Sequence, residues 1–146
     1  MILVDVNLLV CAHMSSMSQH EAALDWLDGQ LGGGTRIGMP WTSLLGFMRV
    51  ATNPRAFARP QSIAGAWDQV EAWLDCGNVW VPEAGASHRQ ILGRLLDHLG
   101  GSTRLLSDAH LAALAIEHGL TLCSTDGDFA RFRGLRWQNP LLIDKA

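Results

Sequence analysis

The sequence predicts an α/β fold, a three-layer α/β/α sandwich with a mainly parallel central sheet. Short apolar runs of strand length alternate with longer segments whose apolar residues recur at helical spacing, the pattern of repeated βαβ units. The strand-length runs are apolar throughout, which is typical of parallel strands covered on both faces. With 146 residues, of which 48% are hydrophobic and 17% charged, the chain most simply forms a single domain over residues 1–146.

The predicted strands and helices alternate along the chain with few breaks. Apolar runs predict strands at residues 2–4, 36–39, 78–81 and 120–123, with 136–137 as an edge strand. Helical spacing predicts helices from residue 8 onward and over 19–31, 40–52, 62–76, 88–99 and 107–118. The last helix is the best defined, because Ser107 is a good N-cap and Gly119 is placed to end it.

Composition and cysteine usage favour a cytosolic protein over a membrane-spanning or secreted one. No apolar run approaches the length of a membrane span, and the N-terminus lacks the basic segment of a signal peptide. We therefore expect a cytoplasmic protein with no membrane segment. The three cysteines are odd in number and show no C-x-x-C spacing, which favours reduced thiols that pack as small apolar side chains.

Four aspartates fall where parallel α/β folds place their ligands. Asp5 directly follows the first strand, and Asp108 lies in the first turn of the last helix. Asp126 and Asp128 follow the fourth strand. Because the carboxyl ends of parallel strands share one edge of the sheet, we expect these side chains to lie together. A cation neutralises such a cluster, and oxygen ligands favour Mg²⁺ or Mn²⁺. Taken singly, three of them fit ordinary turn and helix-start positions, but Asp5 ends a buried strand and does not.

Two polar residues next to these aspartates are less informative. Asn7 either braces Asp5 through a hydrogen bond or caps the following helix at Leu8. His110 comes two residues after Asp108 and points either toward the site or out to solvent, because this offset places it off the face of Asp108 on a helix.

Basic residues are clustered although the net charge of the chain is −3. Residues 30–66 contain four arginines and no Asp or Glu, a local charge of 4 − 0 = +4. Arg49, Arg55 and Arg59 are candidates for phosphate contacts, because the planar guanidinium suits phosphate better than an ammonium does. The alternative, solvated helix and loop faces, is the commoner outcome for a run of like charges.

Three segments of the chain form a recognisable set: MILVDVNLLV at the start, SLLGFMRVATNPR in the middle and SDAHLAALAIEHGLTLCSTDGDFARF near the end. Together they resemble the PIN-domain ribonucleases of VapC type, the toxins of bacterial toxin–antitoxin pairs. The resemblance implies a PIN fold, endoribonuclease activity that depends on Mg²⁺ or Mn²⁺, a homodimer, and inhibition by a VapB-like antitoxin. Asp5 matches the first family carboxylate and Asp108 the third, and both are expected to bind metal. Asp126 matches the acid after the last core strand, and Asp128 matches the Asp before the aromatic residue.

One position departs from this resemblance. Many PIN domains have a Glu in the middle segment, where this chain has Gly46 and no nearby acid to replace it. We expect the remaining acids to hold the metal through more waters. Asp126 should contribute more than Asp128, which is also placed to cap the short turn that follows. A Gly46→Glu substitution is expected to tighten metal binding and to stabilise its helix.

Two other functions are compatible with the sequence. The missing Glu favours a catalytically weak or inactive PIN module that binds RNA or an antitoxin. An Asp-dependent phosphatase or receiver-like domain ranks lower, because such sites use a lysine to bind the phosphoryl group. The one lysine of this chain, Lys145, lies at the far end of the sequence.

Overall fold

The computed structural model describes residues 1–142, and within them five strands form one sheet. The strands are β1 (Ile2–Val4), β2 (Ile37–Gly38), β3 (Val79–Trp80), β4 (Thr121–Cys123) and β5 (Trp137–Gln138). Their order is β3-β2-β1-β4-β5, and all four pairings are parallel. The mainly parallel sheet is confirmed, and each predicted strand is present with bounds that differ by one residue at most.

Six α-helices connect the strands within the same residues. They are α1 (Val6–His13), α2 (His20–Leu31), α3 (Trp41–Ala51), α4 (Ile63–Leu74), α5 (His88–Leu96) and α6 (Leu106–His118). Gly119 ends α6 in the left-handed conformation with φ of 68°, as predicted. Each helix of residues 1–142 is too short or too polar to cross a bilayer.

Two hydrophobic cores cover the two faces of the sheet. Because successive side chains of a strand point to opposite faces, Ile2 and Val4 pack into one core and Leu3 into the other. The first core includes side chains of α1 to α4, and the second includes side chains of α5 and α6. The three-layer α/β/α sandwich is therefore confirmed. The last four residues of the predicted single domain lie outside the described residues.

The start of α1 differs from one interpretation of the sequence. The helix begins at Val6, and the N–H of Val6 donates to Oδ1 of Asp5 at 2.8 Å. Asp5 therefore occupies the N-cap position of α1. The interpretation in which Asn7 caps a helix at Leu8 is wrong, because the helix has already begun before Asn7.

The start of α6 also differs from its prediction. The helix begins at Leu106, so Ser107 lies inside it and is not its N-cap. A short 3₁₀ helix, Thr103–Leu105, leads directly into α6, and the carbonyl of Thr103 accepts the N–H of Leu106. Backbone carbonyls thus satisfy N–H groups that a capping side chain would otherwise bind. Asp108 remains in the first turn of the helix, as predicted.

Candidate active site

The candidate site lies at the carboxyl ends of β1 and β4. From β1 the chain continues to β2 on one side of the sheet, whereas β4 pairs with β1 on the other side. In open α/β sheets, ligands bind at the point where the strand order reverses in this way. Asp5 follows β1, and its N–H donates to the carbonyl of Cys123, the last residue of β4, at 3.1 Å. The parallel register therefore places this carboxylate at the expected edge.

Ser124 connects Asp5 to the neighbouring loop. Its hydroxyl donates to Oδ2 of Asp5 at 2.8 Å. The hydroxyl oxygen of Ser124 also accepts the side-chain N–H of Asn7 at 3.1 Å and the backbone N–H of Asp126 at 3.0 Å. Ser124 is fully buried, and these partners satisfy a hydroxyl whose burial without them would be unfavourable. With Val6 bound to Oδ1, both oxygens of Asp5 have fixed positions.

Asn7 supports Asp5 through Ser124. Its Nδ2 donates to the Ser124 hydroxyl, and its Oδ1 accepts the N–H of Thr125 at 3.4 Å. Of the two interpretations of Asn7, the structure therefore agrees with bracing. Sequence reasoning missed Ser124 itself. The signal for it was a hydroxyl directly after a buried strand and before an acidic loop, where a buried polar side chain requires partners.

Asp108 faces the same cleft as Asp5 from the first turn of α6. Burial raises the pKa of Asp108 from 3.8 to about 6, assisted by the negative charges of Asp5, Asp126 and Asp128 and opposed by Arg104. Burial also raises the pKa of Asp5, with a smaller contribution from Asp126, against the effect of its two hydrogen bonds. Asp5, Asp126 and Asp128 are thus close enough to Asp108 to affect its ionisation.

Asp126 and Asp128 have different surroundings. Oδ1 of Asp126 accepts the N–H of Asp128 at 2.9 Å, which caps the short 3₁₀ helix Gly127–Arg131. Asp128 forms ion pairs with Arg104 at 2.7 Å and Arg131 at 3.4 Å, and its hydrogen bond with Arg104 lowers the pKa of Asp128. The prediction that Asp128 caps this turn is wrong, because Asp126 does so.

A cleft of about 620 Å³ opens beside Asp5 and Asp108. Its walls are the start of α1, one face of α3 and the first two turns of α6. Arg49, on the last turn of α3, borders the cleft with an exposed side chain. Arg55 and Arg59 lie on the exposed loop after α3 and do not border it. Of the three candidate phosphate contacts, the structure brings Arg49 alone to the carboxylates.

Gly46 is buried in the wall that α3 contributes. A Cβ atom at this position would lie 2.6 Å from Cγ2 of Val6, closer than van der Waals contact permits. Val6 is β-branched and lies on the first turn of α1, so its side chain has few alternative rotamers. The expectation that Gly46→Glu stabilises α3 is therefore wrong, because any side chain at this position overlaps Val6.

His110 lines the cleft as well, which agrees with the first of its two orientations, toward the site. The cleft extends along α6 as far as Leu111, so it includes this face of the helix. Nδ1 of His110 lies 3.1 Å from Nε2 of His88 on α5, and the two rings meet edge to face. Burial and the neighbouring His88 lower the pKa of His110.

The donors of the site fit a divalent cation that is held partly by water. Carboxylate oxygens are the ligands that Mg²⁺ and Mn²⁺ prefer, and the repulsion between Asp5 and Asp108 favours a cation near both. Among residues 1–142, no three His, Cys, Asp or Glu side chains form a group with the geometry of a metal site. A cation held by Asp5 and Asp108 alone would complete its coordination with water, in agreement with the tendency of Mg²⁺ to keep several waters.

Comparison with known proteins identifies the family. Residues 2–135 match the family described as PIN domain. The chain belongs to the PIN domain family. It is 41% identical over 138 residues to Ribonuclease VapC37 of Mycobacterium tuberculosis, covering 94% of this chain and 96% of that protein. Ribonuclease VapC33 of the same species is 42% identical over 141 residues, covering 97% of this chain and 99% of that protein. The predicted resemblance to PIN domains of VapC type is confirmed.

Solved structures show the same PIN fold. VapBC2 from Rickettsia felis, bound to a DNA fragment from its promoter, matches with a TM-score of 0.66 at 17% identity, covering 95% of this chain and 98% of that chain. FitAcB from Neisseria gonorrhoeae matches with a TM-score of 0.64 at 17% identity, covering 98% of this chain and 100% of that chain. These matches assign no roles to residues, so the roles of the four aspartates of this PIN domain stay predictions.

The lack of space for a Cβ atom between Gly46 and Val6 predicts how substitutions at these two positions change the stability of the fold. Gly46→Ala should lower the free energy of unfolding by about 1–2 kcal/mol, because the overlap outweighs the better helix propensity of Ala. Val6→Ala/Gly46→Ala should be more stable than the sum of the two single substitutions indicates, since the shorter side chain at position 6 removes the overlap. Urea unfolding of the four proteins measures this coupling. A stabilising Gly46→Ala would contradict the close approach.

The raised pKa of Asp108 predicts that its charge destabilises the metal-free fold. A carboxyl with a raised pKa stabilises the folded state below pH 4 and loses that contribution as the pH rises toward 6. With chelator present, Asp108→Asn should be more stable than wild type at pH 7 by about 1 kcal/mol, after allowance for solvent screening. The difference should vanish near pH 4. Asp25→Asn, on the exposed face of α2, is the control, and an equal pH dependence in both variants would contradict the assignment.

Proposed function

We propose that this PIN domain is a ribonuclease toxin of VapC type that hydrolyses phosphodiester bonds of RNA in the cytoplasm. The observation that supports this function best is the meeting of Asp5 and Asp108 in one cleft at the strand-order reversal, with Arg49 at its border. Carboxylates beside an arginine suit a cation together with an anionic polymer. The names of the relatives describe ribonucleases.

Asp5 and Asp108 would hold Mg²⁺ or Mn²⁺, with Asp126 contributing from the adjacent loop. The metal, when bound, activates a water and stabilises the oxyanions of the phosphodiester. The protein fixes Asp5 through its contacts with Ser124 and Val6, so that this ligand is already oriented. Asp128 is less suited to this task, because Arg104 and Arg131 already neutralise it.

Arg49 would bind the RNA backbone at the border of the cleft. Its guanidinium is exposed and makes no ion pair within residues 1–142, so it is available to a phosphate. The exposed loop arginines, Arg55 and Arg59, would contact phosphates further along a bound strand. A binding site of this kind positions RNA through its backbone and adds little base specificity.

A catalytically weak PIN module that binds RNA or an antitoxin is the second candidate. Gly46 favours it, since this position supplies no ligand and a side chain there would overlap Val6. Incubation of the purified protein with total RNA and Mg²⁺, Mn²⁺ or chelator, followed by mapping of new ends, separates the two candidates. Ends that appear with metal support the ribonuclease, and an unchanged RNA pool supports the binding module.

We also propose a VapB-like antitoxin and a second copy of the chain as protein partners. The VapBC2 match supports the antitoxin. Trp41 on α3 and Trp67 on α4 stack with their planes at 11° and remain 39% and 40% exposed. Leu45 and Ile63 are also exposed, and each lies four residues from one of these tryptophans on the same helix, so helical spacing places it on the same face. Protein partners cover exposed apolar side chains of this kind. Light scattering of the chain alone measures its oligomeric state, and a monomer would exclude the homodimer.

Removing either central carboxylate should stop RNA cleavage. Asp5→Asn and Asp108→Asn should each reduce the rate below detection, because the metal loses a charged ligand whose position the fold determines. Asp126→Asn should reduce the rate more than Asp128→Asn does. The assay follows new RNA ends with Mn²⁺ present, with Asp25→Asn as the control. Full activity in Asp5→Asn or Asp108→Asn would exclude this assignment of the site.

The arginines should differ in their effect on RNA binding. Arg49→Gln should weaken binding roughly tenfold and reduce the slope of log K against log salt by about 0.7, the value for one lost phosphate contact on a single strand. Arg55→Gln and Arg59→Gln should have smaller effects, since these side chains lie outside the cleft. Arg89→Gln, on the exposed surface of α5, is the matched control. Equal slopes for Arg49→Gln and Arg89→Gln would show that Arg49 does not contact RNA.

A further inference from the structure

His88 and His110 form a pair of imidazoles behind one wall of the cleft. Nε2 of His88 lies 3.1 Å from Nδ1 of His110, a hydrogen-bond distance, so one nitrogen donates and the other accepts. His88 is 8% exposed and lies at the start of α5. His110 is half-buried and borders the cleft. The pair therefore joins a buried residue, His88, to a residue of the candidate site, His110.

The direction of this hydrogen bond follows from the other nitrogen of His88. Nδ1 of His88 is buried and has no hydrogen-bond partner within residues 1–142. A buried N–H without a partner is rarer and less favourable than a buried acceptor without one. Nδ1 of His88 is therefore the nitrogen without a proton, and its Nε2–H donates to His110. Every alternative, including a protonated pair, places an N–H on the buried Nδ1.

The same argument determines the tautomer of His110. Its Nδ1 accepts the proton of His88, so its own N–H is on Nε2. This Nε2 makes no hydrogen bond to residues 1–142 and is not among their fully buried unpartnered atoms. His110 lines the cleft from the same helix as Asp108, whose carboxylate oxygens are acceptors, so its N–H is the donor that this wall adds.

We propose that His110 donates its Nε2–H to a phosphate oxygen of bound RNA, and that His88 is a positioning residue that fixes the tautomer needed for this contact. The inference rests on the proposed ribonuclease function. The oxygens of a phosphodiester accept hydrogen bonds. The N–H of His110 can bind them, whereas ionised carboxylates in the cleft have no proton to donate. RNA would then have a polar contact on the α6 wall in addition to Arg49 on the α3 wall.

The tautomers are measured without RNA. Long-range ¹H–¹⁵N correlation spectra of histidine-labelled protein distinguish Nδ1–H, Nε2–H and doubly protonated rings, and His88→Gln and His110→Gln assign the signals. We expect Nε2–H for both residues at pH 7. In His88→Met, the signal of His110 should become a mixture of tautomers, whereas His88→Gln, which keeps an N–H near the original Nε2, should restore Nε2–H. An Nδ1–H tautomer for His110 in wild type would overturn the inference.

The RNA contact is measured with paired amide variants. The glutamine amide reaches the position of Nε2, whereas the asparagine amide reaches that of Nδ1. His110→Gln should therefore keep KM within a few fold of wild type, and His110→Asn should raise KM by about 10-fold to 100-fold with little change in kcat, as expected for a hydrogen bond made equally in ground and transition states. The substrate is a short RNA that spans the cut site mapped with total RNA, and equal melting temperatures confirm that both variants fold.

The controls separate this inference from the proposed function. His98→Gln, on an exposed position after α5, should leave KM unchanged. If wild type cleaves RNA and His110→Asn has the KM of wild type, the contact is excluded while the ribonuclease function stands. If wild type neither binds nor cleaves RNA, both proposals are excluded, although the tautomer spectra still test the role of His88.

Discussion

The hydrogen bond from Ser124 to Asp5 is the contact on which the candidate site depends. It joins the residues that directly follow β4 and β1, so it forms when these two strands pair in the observed register. A shift of one residue would turn the side chains of β4 to the opposite face of the sheet and separate Ser124 from Asp5. The register is fixed by the two cores, which accept Leu122 on one face and Cys123 on the other. Apolar packing on both faces thus determines where a carboxylate lies.

The distribution of charge around the site is uneven. Arg104 and Arg131 neutralise Asp128 at the edge of the acidic loop, whereas Asp5 and Asp108 have no such partners within the described residues. Burial raises the pKa of both carboxyls, assisted at Asp108 by the charge of Asp5 and at Asp5 by the charge of Asp126. Negative charge is therefore concentrated at the base of the cleft. A bound cation would reverse the sign of this potential, which would favour the approach of a polyanion.

Much of the fold was predictable from local patterns in the sequence. Apolar runs such as Ile2–Val4 identify buried parallel strands, and Gly119 marks the end of α6 because a left-handed residue is needed there. The helix starts were less predictable. Ser107 has the chemistry of a cap, but the 3₁₀ turn before it satisfies the backbone with carbonyls, and no local pattern shows this competition.

The carboxylates of the site could be predicted from the sequence, but the contacts of the residues around them could not. Asp5 and Asp108 could be identified because strand ends and helix starts converge in this fold. The contact of Gly46 with Val6 and the pairing of His88 with His110 join residues that are distant in the sequence. Such contacts depend on how helices pack against one another, and spacing along one helix contains no information about its neighbour.

The separation of Asp5 from Ser124 along the chain has a consequence for the protein during its synthesis. The two residues are 119 positions apart, so Asp5 leaves the ribosome long before its partner is translated. Until β4 emerges, one edge of β1 has no strand beside it, and the late helix that contains Asp108 has no completed sheet to pack against. A nascent chain therefore contains no assembled site. The carboxylate that is translated first thus waits for β4, one of the last strands described, before its position is fixed.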